Sequence, residues 1–280
     1  MRAWRCPGQP PQPPGNDLSV EVAGPAPEEG RHDTSWGIRE VVLGIAVAIP
    51  AVLIAIVVVA VATDALSQAG VIGSLSGRSS KSILPFYNLA TTLAFYGALL
   101  AVVAFFASRR GGPLWPQLGL RRPPYWVLPL MPVLAVALQF LTGLISAALS
   151  PLLHGMTNPQ GCSISQGFGQ DAYLGVIAIV VIAPVVEEIT FRGFIFGGLR
   201  GRLGTTWAVV ASSVVFALAH TLSVGGSILL LGPSLFVAGV ALALVYEKTK
   251  SIYPGMVLHA SFNLVAVVLI FLTSTAGNCR

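Results

Sequence analysis

Long apolar stretches recur from residue 41 to residue 273, and they limit what this chain can fold into. An α-helix needs about 20 apolar residues to cross the hydrocarbon core of a bilayer. The stretches lack the alternating pattern of strands, and helices satisfy their own backbone groups in lipid. We therefore predict an all-α, polytopic integral membrane bundle of seven or eight transmembrane helices. The candidate spans are 41–62, 88–107, 126–149, 172–196, 205–222, 228–246 and 252–273.

The composition excludes a water-soluble protein. Hydrophobic residues make up 54% of the 280 residues and charged residues only 10%, whereas soluble domains carry about a quarter charged residues. So few charges cannot coat a globule of this size. The net charge of +5 comes from scattered basic residues that form no basic face. We therefore predict that the partner implied by composition is the lipid bilayer and not a nucleic acid.

The chain divides into four segments by composition. Residues 1–36 are rich in proline and glycine and carry both charge signs, with little apolar content. Such a segment cannot bury enough apolar surface to fold, so we predict a disordered cytoplasmic tail. N-terminal transmembrane helices follow at 37–171, and a second group of helices follows at 172–273. Residues 274–280 form a short C-terminal tail.

Lysine and arginine residues indicate the orientation, since they are enriched in cytoplasmic loops. With a cytoplasmic N-terminus, twelve basic residues fall in cytoplasmic segments and three in external segments. We therefore predict a multi-pass protein of the cell membrane with its N-terminus in the cytoplasm and its C-terminus outside. Cys162 and Cys279 would both lie outside, where a disulfide could form. The sequence leaves open whether they pair.

Three charged residues lie within the predicted spans, and they are close neighbours: Glu187, Glu188 and Arg192. An ionisable side chain at that depth costs roughly 2.5–3.5 kcal/mol or more, so each needs a partner or a function. Glu188 and Arg192 have the i, i+4 spacing of a helical ion pair. Glu187 points about 100° away from Glu188 on a helix, and the local sequence offers it no counter-ion. We interpret Glu187 as a candidate general base.

Two other predicted spans contain a histidine, His220 or His259. Phe216 lies one turn before His220, and Asn263 lies one turn after His259 on the same helical face. A single histidine in an apolar helix is more often a packing residue. Two histidines together with Glu187 favour a buried polar site. Estimates from the helical rise place these polar groups within about 10 Å of one another in depth.

Three short motifs together resemble the signature of a known family. They are Glu187-Glu188-x-x-x-Arg192, Phe216-x-x-x-His220 and His259-x-x-x-Asn263. They resemble those of the CPBP family, which comprises the type II CAAX prenyl proteases and the bacteriocin-processing proteins also called Abi. The resemblance covers about residues 172–273 and implies a catalytic core there. It implies an intramembrane endopeptidase in which Glu188 and Arg192 shape the site.

The resemblance also implies the catalytic roles of the other polar residues. Glu187 would activate the attacking water, with assistance from His220. His259 and Asn263 would stabilise the oxyanion of the tetrahedral intermediate. Because every signature position is filled, the motifs predict an active enzyme.

The residues leave open whether a metal ion takes part. Glu187, His220 and His259 match a common catalytic zinc set with water as the fourth ligand. A liganding Glu187 could not at the same time be the free base, and Glu188 is the other nearby carboxylate. The His-Glu-x-x-His helix of soluble zinc proteases is absent from the sequence. Zinc or another divalent metal, as in a metalloendopeptidase, and a metal-free glutamate mechanism both remain open.

Two features beside the acidic motif bear on its packing. Gly193, Gly197 and Gly201 recur every four residues, a spacing that permits close helix approach. Pro184 lies one turn before Glu187 and removes a backbone hydrogen bond. We interpret the glycines as packing residues, and Pro184 as either an opening in the helix beside the base or a tolerated kink.

Other functions are compatible with a buried cluster of this kind. One is a non-catalytic membrane immunity or binding protein of the same fold, and another is a proton-coupled transporter. Against the transporter, the sequence lacks the duplicated broken-helix pattern of an inverted repeat. For the endopeptidase we expect a peptide or membrane-protein substrate. The Ala-, Gly-, Val- and Arg-rich composition favours a bacterial source and therefore a substrate without a prenyl group, while the oligomeric state is left open.

Overall fold

The computed structural model describes residues 34–72, 80–109, 111–153, 172–224 and 228–274, and the regular elements in these ranges are all helical. The first half contains α1 (Ile38–Gln68), α2 (Ser80–Ser108), the short α3 (Leu114–Gln117) and α4 (Leu130–Leu149). Short 3₁₀ turns flank α4 at Tyr125–Val127 and Ser150–Leu152. The predicted all-α membrane bundle is confirmed.

The second half begins with a helical run in which α-helical and π-helical turns alternate. It comprises α5 (Ala172–Ile177), π1 (Ala178–Ile182), α6 (Ala183–Glu187), π2 (Glu188–Phe196) and α7 (Gly197–Val224). Two further helices, α8 (Ile228–Thr249) and α9 (Ile252–Ser274), complete the described chain. π-helical turns are rare and occur frequently at functional sites. Here they lie on both sides of α6, which ends at Glu187.

Helix contacts within each half and between the two halves form one bundle around this run. α1 packs along α2, and α7 packs along α8. α4 packs against both α8 and α9, so the two halves of the chain share one bundle. π2 contacts α2, α7, α8 and α9, and every one of its residues is buried. The acidic motif therefore lies at the centre of the bundle.

The number of spanning helices differs from the prediction of seven or eight. Six helices in the described ranges are long and apolar enough to cross a membrane, and one of them, Tyr173–Leu222, has 50 residues. A continuous helix of that length would extend about 75 Å, more than twice a hydrocarbon thickness of about 30 Å. The backbone leaves helical geometry at Gly204, with φ 73° and ψ 169°. The predicted spans 172–196 and 205–222 are the two arms of this broken run.

The predicted tail ends earlier than residue 36. The Trp36 indole is only 3% exposed, and its Nε1 donates a hydrogen bond to the Phe194 carbonyl at 2.9 Å. The Thr34 hydroxyl lies 3.2 Å from the Gly197 carbonyl, to which it donates. These contacts attach the segment before α1 to π2 and α7. The rest of the tail lies outside the described residues, as do Cys162 and Cys279, whose pairing the sequence leaves open.

Charged and polar contacts also join segments near Arg200 and Ser251. The Arg200 guanidinium pairs with Glu247 at 2.8 Å, and Lys250 pairs with the same carboxylate at 2.6 Å. The Ser251 hydroxyl donates to the Arg121 carbonyl at 2.6 Å. The sequence placed Arg121, Arg200 and Lys250 in different cytoplasmic segments. The bundle gathers them at one end.

The glycines after the acidic motif have different surroundings. A Cβ on Gly193 would lie 2.7 Å from the Leu118 carbonyl oxygen, and a Cβ on Gly197 would lie 3.1 Å from the Thr34 side chain. A Cβ on Gly201 would meet nothing within 4 Å. Close packing therefore requires glycine at the first position, favours a small residue at the second, and makes no demand at the third.

Replacement of Gly204 tests the break between the two arms of the long run. Gly204→Ala is expected to lower the free energy of unfolding by about 1–3 kcal/mol, because residues other than glycine are strained in this backbone region. Gly201→Ala is the matched control, and we expect it to be neutral or to stabilise by up to about 1 kcal/mol. Unfolding of both variants in detergent, followed by circular dichroism, measures the difference. Equal effects of the two substitutions would contradict the break.

Candidate active site

Glu187 is the last residue of α6, and its carboxylate lines a large cavity in the bundle. Oε1 accepts a hydrogen bond from the Tyr96 hydroxyl of α2 at 2.8 Å. Oε2 lies 3.2 Å from Nε2 of His220 and 3.6 Å from Nε2 of His259. Oε2 is buried, and no described residue makes an aligned hydrogen bond to it. One carboxylate oxygen is therefore held in place, while the other faces two imidazole edges.

Both imidazoles are oriented by a partner on the Nδ1 side of the ring. Nδ1 of His220 lies 2.9 Å from the Phe216 carbonyl oxygen, and because a carbonyl only accepts, this nitrogen carries a hydrogen. Nδ1 of His259 lies 3.1 Å from Oε1 of Glu188. The Phe216 ring packs on both histidines, with centroid distances of 4.2 Å and 5.8 Å. The partners on Nδ1 leave both Nε2 atoms directed toward the Glu187 carboxylate.

The contact between His220 and Glu187 requires a proton. If Nδ1 of His220 carries the only ring hydrogen, Nε2 presents a lone pair to Oε2 of Glu187 at 3.2 Å. Two electron-rich atoms at that distance repel each other strongly where the effective dielectric constant is low. At least one proton therefore resides on Nε2 of His220 or on Glu187. The partner that the local sequence did not offer to Glu187 comes from a different helix.

Glu188 and Arg192 form the ion pair predicted from their spacing. The Arg192 Nη1 to Glu188 Oε1 distance is 3.1 Å, with side-chain exposures of 2% and 0%. Nη2 of Arg192 donates to the Gly239 carbonyl at 3.1 Å, and the guanidinium lies over the Phe216 ring, 4.6 Å from its centroid. A Cβ on Gly255 would lie 2.7 Å from Oε2 of Glu188. Glycine therefore lets α9 approach the ion pair.

Charge balance joins the two acidic residues into one cluster. Glu188 is neutralised by Arg192, and a protonated His220 would neutralise Glu187. With a single proton added to its neutral histidines, the cluster carries no net charge. Because unpaired buried charges are costly, this balance accounts for two carboxylates lying next to each other in an apolar bundle.

Asn263 lines the cavity, and its carboxamide nitrogen makes a hydrogen bond to a backbone carbonyl. Nδ2 donates to the Ile179 carbonyl of π1 at 2.8 Å. A π-helical turn pairs a carbonyl with the amide five residues later, and for Ile179 that residue is Pro184, which has no N–H. Asn263 therefore satisfies the carbonyl that Pro184 leaves over. This contact supports the interpretation of Pro184 as a tolerated irregularity.

The structure thus connects five of the six polar and charged signature residues through direct contacts. They are Glu187, Glu188, Arg192, His220 and His259. The sixth, Asn263, lines the same cavity and retains a second hydrogen on Nδ2, because a carboxamide nitrogen carries two. The contacts bring together residues of α6, π2, α7 and α9.

The cavity beside Glu187 has a volume of about 880 Å³ and is largely apolar. Its walls come from α1, α2, α4 and the C-terminal helices. Within the described ranges, Glu187 is the single Asp, Glu, Lys or Arg among its lining residues. The cavity therefore combines a reactive polar end with space for an apolar ligand.

Tyr96 is a site residue that the sequence analysis missed. It lies within the predicted span 88–107, where a hydroxyl in an apolar environment needs a hydrogen-bond partner. The need of this hydroxyl for a partner was the feature of the sequence that could have identified Tyr96 as a site residue. The identity of the partner depended on α2 packing beside α6, across 91 residues of sequence.

The sequence analysis gave Glu187, His220 and His259 as the candidate ligands of a metal ion. No group of three or more His, Cys, Asp or Glu side chains in the described part of the chain is arranged to hold one. The Nε2 atoms of His220 and His259 face Oε2 of Glu187 at 3.2 Å and 3.6 Å. Both contacts converge on one carboxylate oxygen, and the chemistry proposed below uses the side chains alone.

Comparison with known proteins identifies the segment that carries this cluster. Residues 169–265 match the family model described as "Type II CAAX prenyl endopeptidase Rce1-like". The resemblance predicted from the three motifs is confirmed. The matched segment includes every signature residue and begins just before α5. Tyr96 and the first four helices lie outside it.

Two bacterial proteins are similar to part of this chain. "Putative membrane peptidase YdiL" of Bacillus subtilis (strain 168) is 31% identical over 34% of this chain and 37% of its own length. "UPF0177 protein YxdF" of Lactococcus lactis subsp. lactis (strain IL1403) is 33% identical over 36% of this chain and 57% of its own length. The chain thus matches less than two thirds of either relative. No solved structure matches it.

Replacement of Glu188 tests the buried ion pair. Glu188→Gln is expected to lower the free energy of unfolding by about 3–5 kcal/mol, because it leaves the Arg192 guanidinium buried without a countercharge. Lys250→Met removes the partly exposed pair with Glu247 and is expected to cost below about 1 kcal/mol. Unfolding of both variants in detergent measures the contrast. A Glu188→Gln cost as small as that of Lys250→Met would show that the pair contributes little.

Proposed function

We propose that this chain is a CAAX-protease-like intramembrane endopeptidase that cleaves a peptide or membrane-protein substrate with water activated by Glu187. The observation that carries the proposal is the environment of one carboxylate. Tyr96 holds Oε1, and the buried Oε2 lies beside two imidazole Nε2 atoms without an aligned hydrogen bond from any described residue. The match to a prenyl endopeptidase model and the peptidase description of the Bacillus subtilis relative support the same class.

In the proposed first step, Oε2 of Glu187 accepts a proton from the attacking water. A general base must lie within hydrogen-bond reach of the proton that it removes, and Glu187 lines the cavity that would hold the substrate. The water oxygen then bonds to the carbonyl carbon of the scissile peptide. The hydrogen bond from Tyr96 to Oε1 fixes the direction in which Oε2 presents its lone pairs.

The negative charge that develops on the substrate carbonyl oxygen needs hydrogen-bond donors. We propose His259 and Asn263 as these donors. Asn263 has a second Nδ2 hydrogen besides the one given to Ile179. His259 requires a proton on Nε2 for this role, and the Glu188 carboxylate lies 3.1 Å from Nδ1 on the other side of the ring.

In the last step the tetrahedral intermediate collapses and the carbon–nitrogen bond breaks. The leaving amine takes up a proton, for which His220 is the proposed donor, since the Glu187 contact keeps a proton in this pair. The proton taken from water by Glu187 restores the pair to its starting state. Water is thus divided between the new carboxyl group and the new amine, and no other reactant is consumed.

The substrate is proposed to lack a prenyl group. The composition that favours a bacterial source and the two bacterial relatives support this proposal. The cavity alone does not distinguish an apolar peptide from a lipid chain, because both would be accommodated by its apolar walls. A substrate with and without a prenylated cysteine tests the choice directly.

Glu187→Gln decides between hydrolysis and the alternatives of an immunity protein or a transporter. It keeps the shape of the side chain but removes the base, and we expect hydrolysis to fall by about 10²- to 10⁴-fold. Tyr96→Phe removes one hydrogen bond to the charged carboxylate and is expected to reduce the rate by about tenfold. Cleavage of quenched fluorogenic apolar peptides by the protein in proteoliposomes measures both, with Asp64→Asn as the charge-loss control at an exposed position.

The same assay tests the metal-free chemistry. Activity is expected to survive exhaustive chelation, and the purified protein is expected to contain no stoichiometric zinc. Loss of activity on chelation that zinc restores would overturn the metal-free step. Full activity of Glu187→Gln would instead overturn the hydrolytic assignment itself.

We also propose that the end of the bundle containing Trp36, Arg121, Arg200 and Lys250 faces the cytoplasm. The enrichment of basic residues in cytoplasmic loops supports this sidedness. The contacts of Trp36 with Phe194 and of Arg200 with Glu247 support placing these segments together. With the break at Gly204, the chain would cross the membrane seven times and end outside.

A reporter fused after Arg280 tests the orientation. An enzyme that is active only outside the cytoplasm is expected to be active in this fusion, because an odd number of crossings from a cytoplasmic N-terminus ends outside. The same reporter fused after Lys250 is the matched control and is expected to be inactive. Activity at Lys250 with none at Arg280 would reverse the proposed orientation.

A further inference from the structure

The cavity has a second polar region, which the proposed chemistry does not use. It is formed where α4 packs against α8 and consists of Gln139, Thr142, Ser146 and Ser234. Along α4, Gln139 and Ser146 are separated by two turns, about 10 Å. Polar side chains within membrane helices are uncommon and call for a partner or a function.

The hydroxyl hydrogens in this region are committed within the protein. The Ser234 hydroxyl donates to the Thr142 carbonyl at 3.1 Å. Ser146 therefore donates in the 2.9 Å contact with Ser234. The Thr142 hydroxyl donates to the Leu138 carbonyl at 3.0 Å. The acceptors that remain at this end of the cavity are Oγ of Ser146 and Oε1 of Gln139, and Nε2 of Gln139 carries two hydrogens beside them.

Gln139 provides the second and independent indication of a ligand. Its Oε1 is buried and accepts no hydrogen bond from the described part of the chain. An unpaired buried acceptor costs about 1–3 kcal/mol, and such atoms are rare enough in native proteins to need an explanation. If the Gln139 carboxamide turns so that Oε1 faces the cavity, a group that donates a hydrogen bond from within the cavity would remove this cost.

The chemistry of the region selects a neutral donor. Glu187, the one carboxylate among the described lining residues, is already matched by the histidines beside it. A cationic ligand at Gln139 would therefore be buried without a countercharge, which is strongly unfavourable. A backbone N–H of a peptide is neutral, donates one hydrogen bond, and must find an acceptor when it enters an apolar environment.

We infer that Gln139, supported by Ser146, forms a substrate subsite that accepts a hydrogen bond from a backbone N–H of an extended peptide segment lying in the cavity. The inference deepens the proposed peptidase function and rests on it. Glu187 cleaves at one end of the segment, and Gln139 holds a backbone amide away from the scissile bond. The subsite sets the register of the segment and therefore the bond that is cut.

Gly143 allows a steric test of the same path. It lines the cavity between Gln139 and Ser146, and a Cβ added to it would meet nothing within 4 Å. A larger side chain at this position therefore enters open space and does not clash with a neighbouring helix. Gly143→Leu is expected to obstruct the segment while leaving the fold intact.

The experiment measures peptide binding in the Glu187→Gln protein, so it is independent of cleavage. A fluorescein-labelled octapeptide of leucine and alanine is titrated against the protein in nanodiscs by anisotropy, with each backbone N–H replaced in turn by N-methyl. We expect one N-methyl position remote from the Glu187 contact to weaken binding about threefold to tenfold, the effect of one lost neutral hydrogen bond. In a protein that also carries Gln139→Leu, this position is expected to lose its effect.

Gln68→Leu, at an exposed position of α1, is the matched control and is expected to keep the N-methyl pattern. Gly143→Leu is expected to weaken binding of the octapeptide by at least about tenfold and binding of a tripeptide by less than about twofold. The subsite is overturned if the octapeptide does not bind saturably, if no position responds to N-methylation, or if the response is the same with Gln139→Leu. These outcomes are distinct from failure of the hydrolytic assignment, which the cleavage assay detects separately.

Discussion

The ion pair between Glu188 and Arg192 supports the rest of the site. Its members lie on π2, the segment that four neighbouring helices surround. The carboxylate orients His259 through Nδ1, and the guanidinium reaches the Gly239 carbonyl of α8. Because buried charges must be matched in charge and in hydrogen bonds, the pair constrains where α8 and α9 can lie. Gly255 then permits α9 to approach the carboxylate closely.

This arrangement leaves Glu187 with a different task from its neighbour. Glu188 is fully buried and its charge is paired with Arg192, whereas Glu187 lines a cavity and has one oxygen beside the two Nε2 atoms. Two adjacent carboxylates in one helix thus have different environments, one supporting the site and the other suited to proton transfer. The same principle of unequal environments separates acid and base roles in many hydrolytic sites. Here it follows from a rotation of one residue along the helix.

The polar contacts of the two π-helical segments are made largely from outside the run. Asn263 donates a hydrogen bond to the Ile179 carbonyl, and Trp36 donates one to the Phe194 carbonyl. Irregular turns free backbone groups that must be satisfied where water is scarce. The side chains that satisfy them come from the C-terminal helix and from the segment before α1. The candidate site is therefore held by parts of the chain that are far apart in sequence.

Much of the fold and of the site was predictable from residue order. Apolar length predicted the helices, and the spacing of Glu188 and Arg192 predicted their ion pair. The short motifs predicted His220, His259 and Asn263 as partners of Glu187. Six helices of the described chain are long and apolar enough to span a membrane, one fewer than the predicted spans, because the predicted spans 172–196 and 205–222 form one run of 50 residues that is broken at Gly204.

Contacts between distant helices could not be predicted in the same way. Tyr96, the proton shared by His220 and Glu187, and the unpaired oxygen of Gln139 all depend on which helix faces lie together. Residue order determined the class of protein and its ionisable residues, because the cost of placing a charge in an apolar segment is a local property. Folding determined which oxygen of Glu187 remains without an aligned hydrogen bond from a described residue, and where the acceptors near the cavity lie. The distances between atoms of different helices, and the atoms left without a hydrogen-bond partner, are set only when those helices pack.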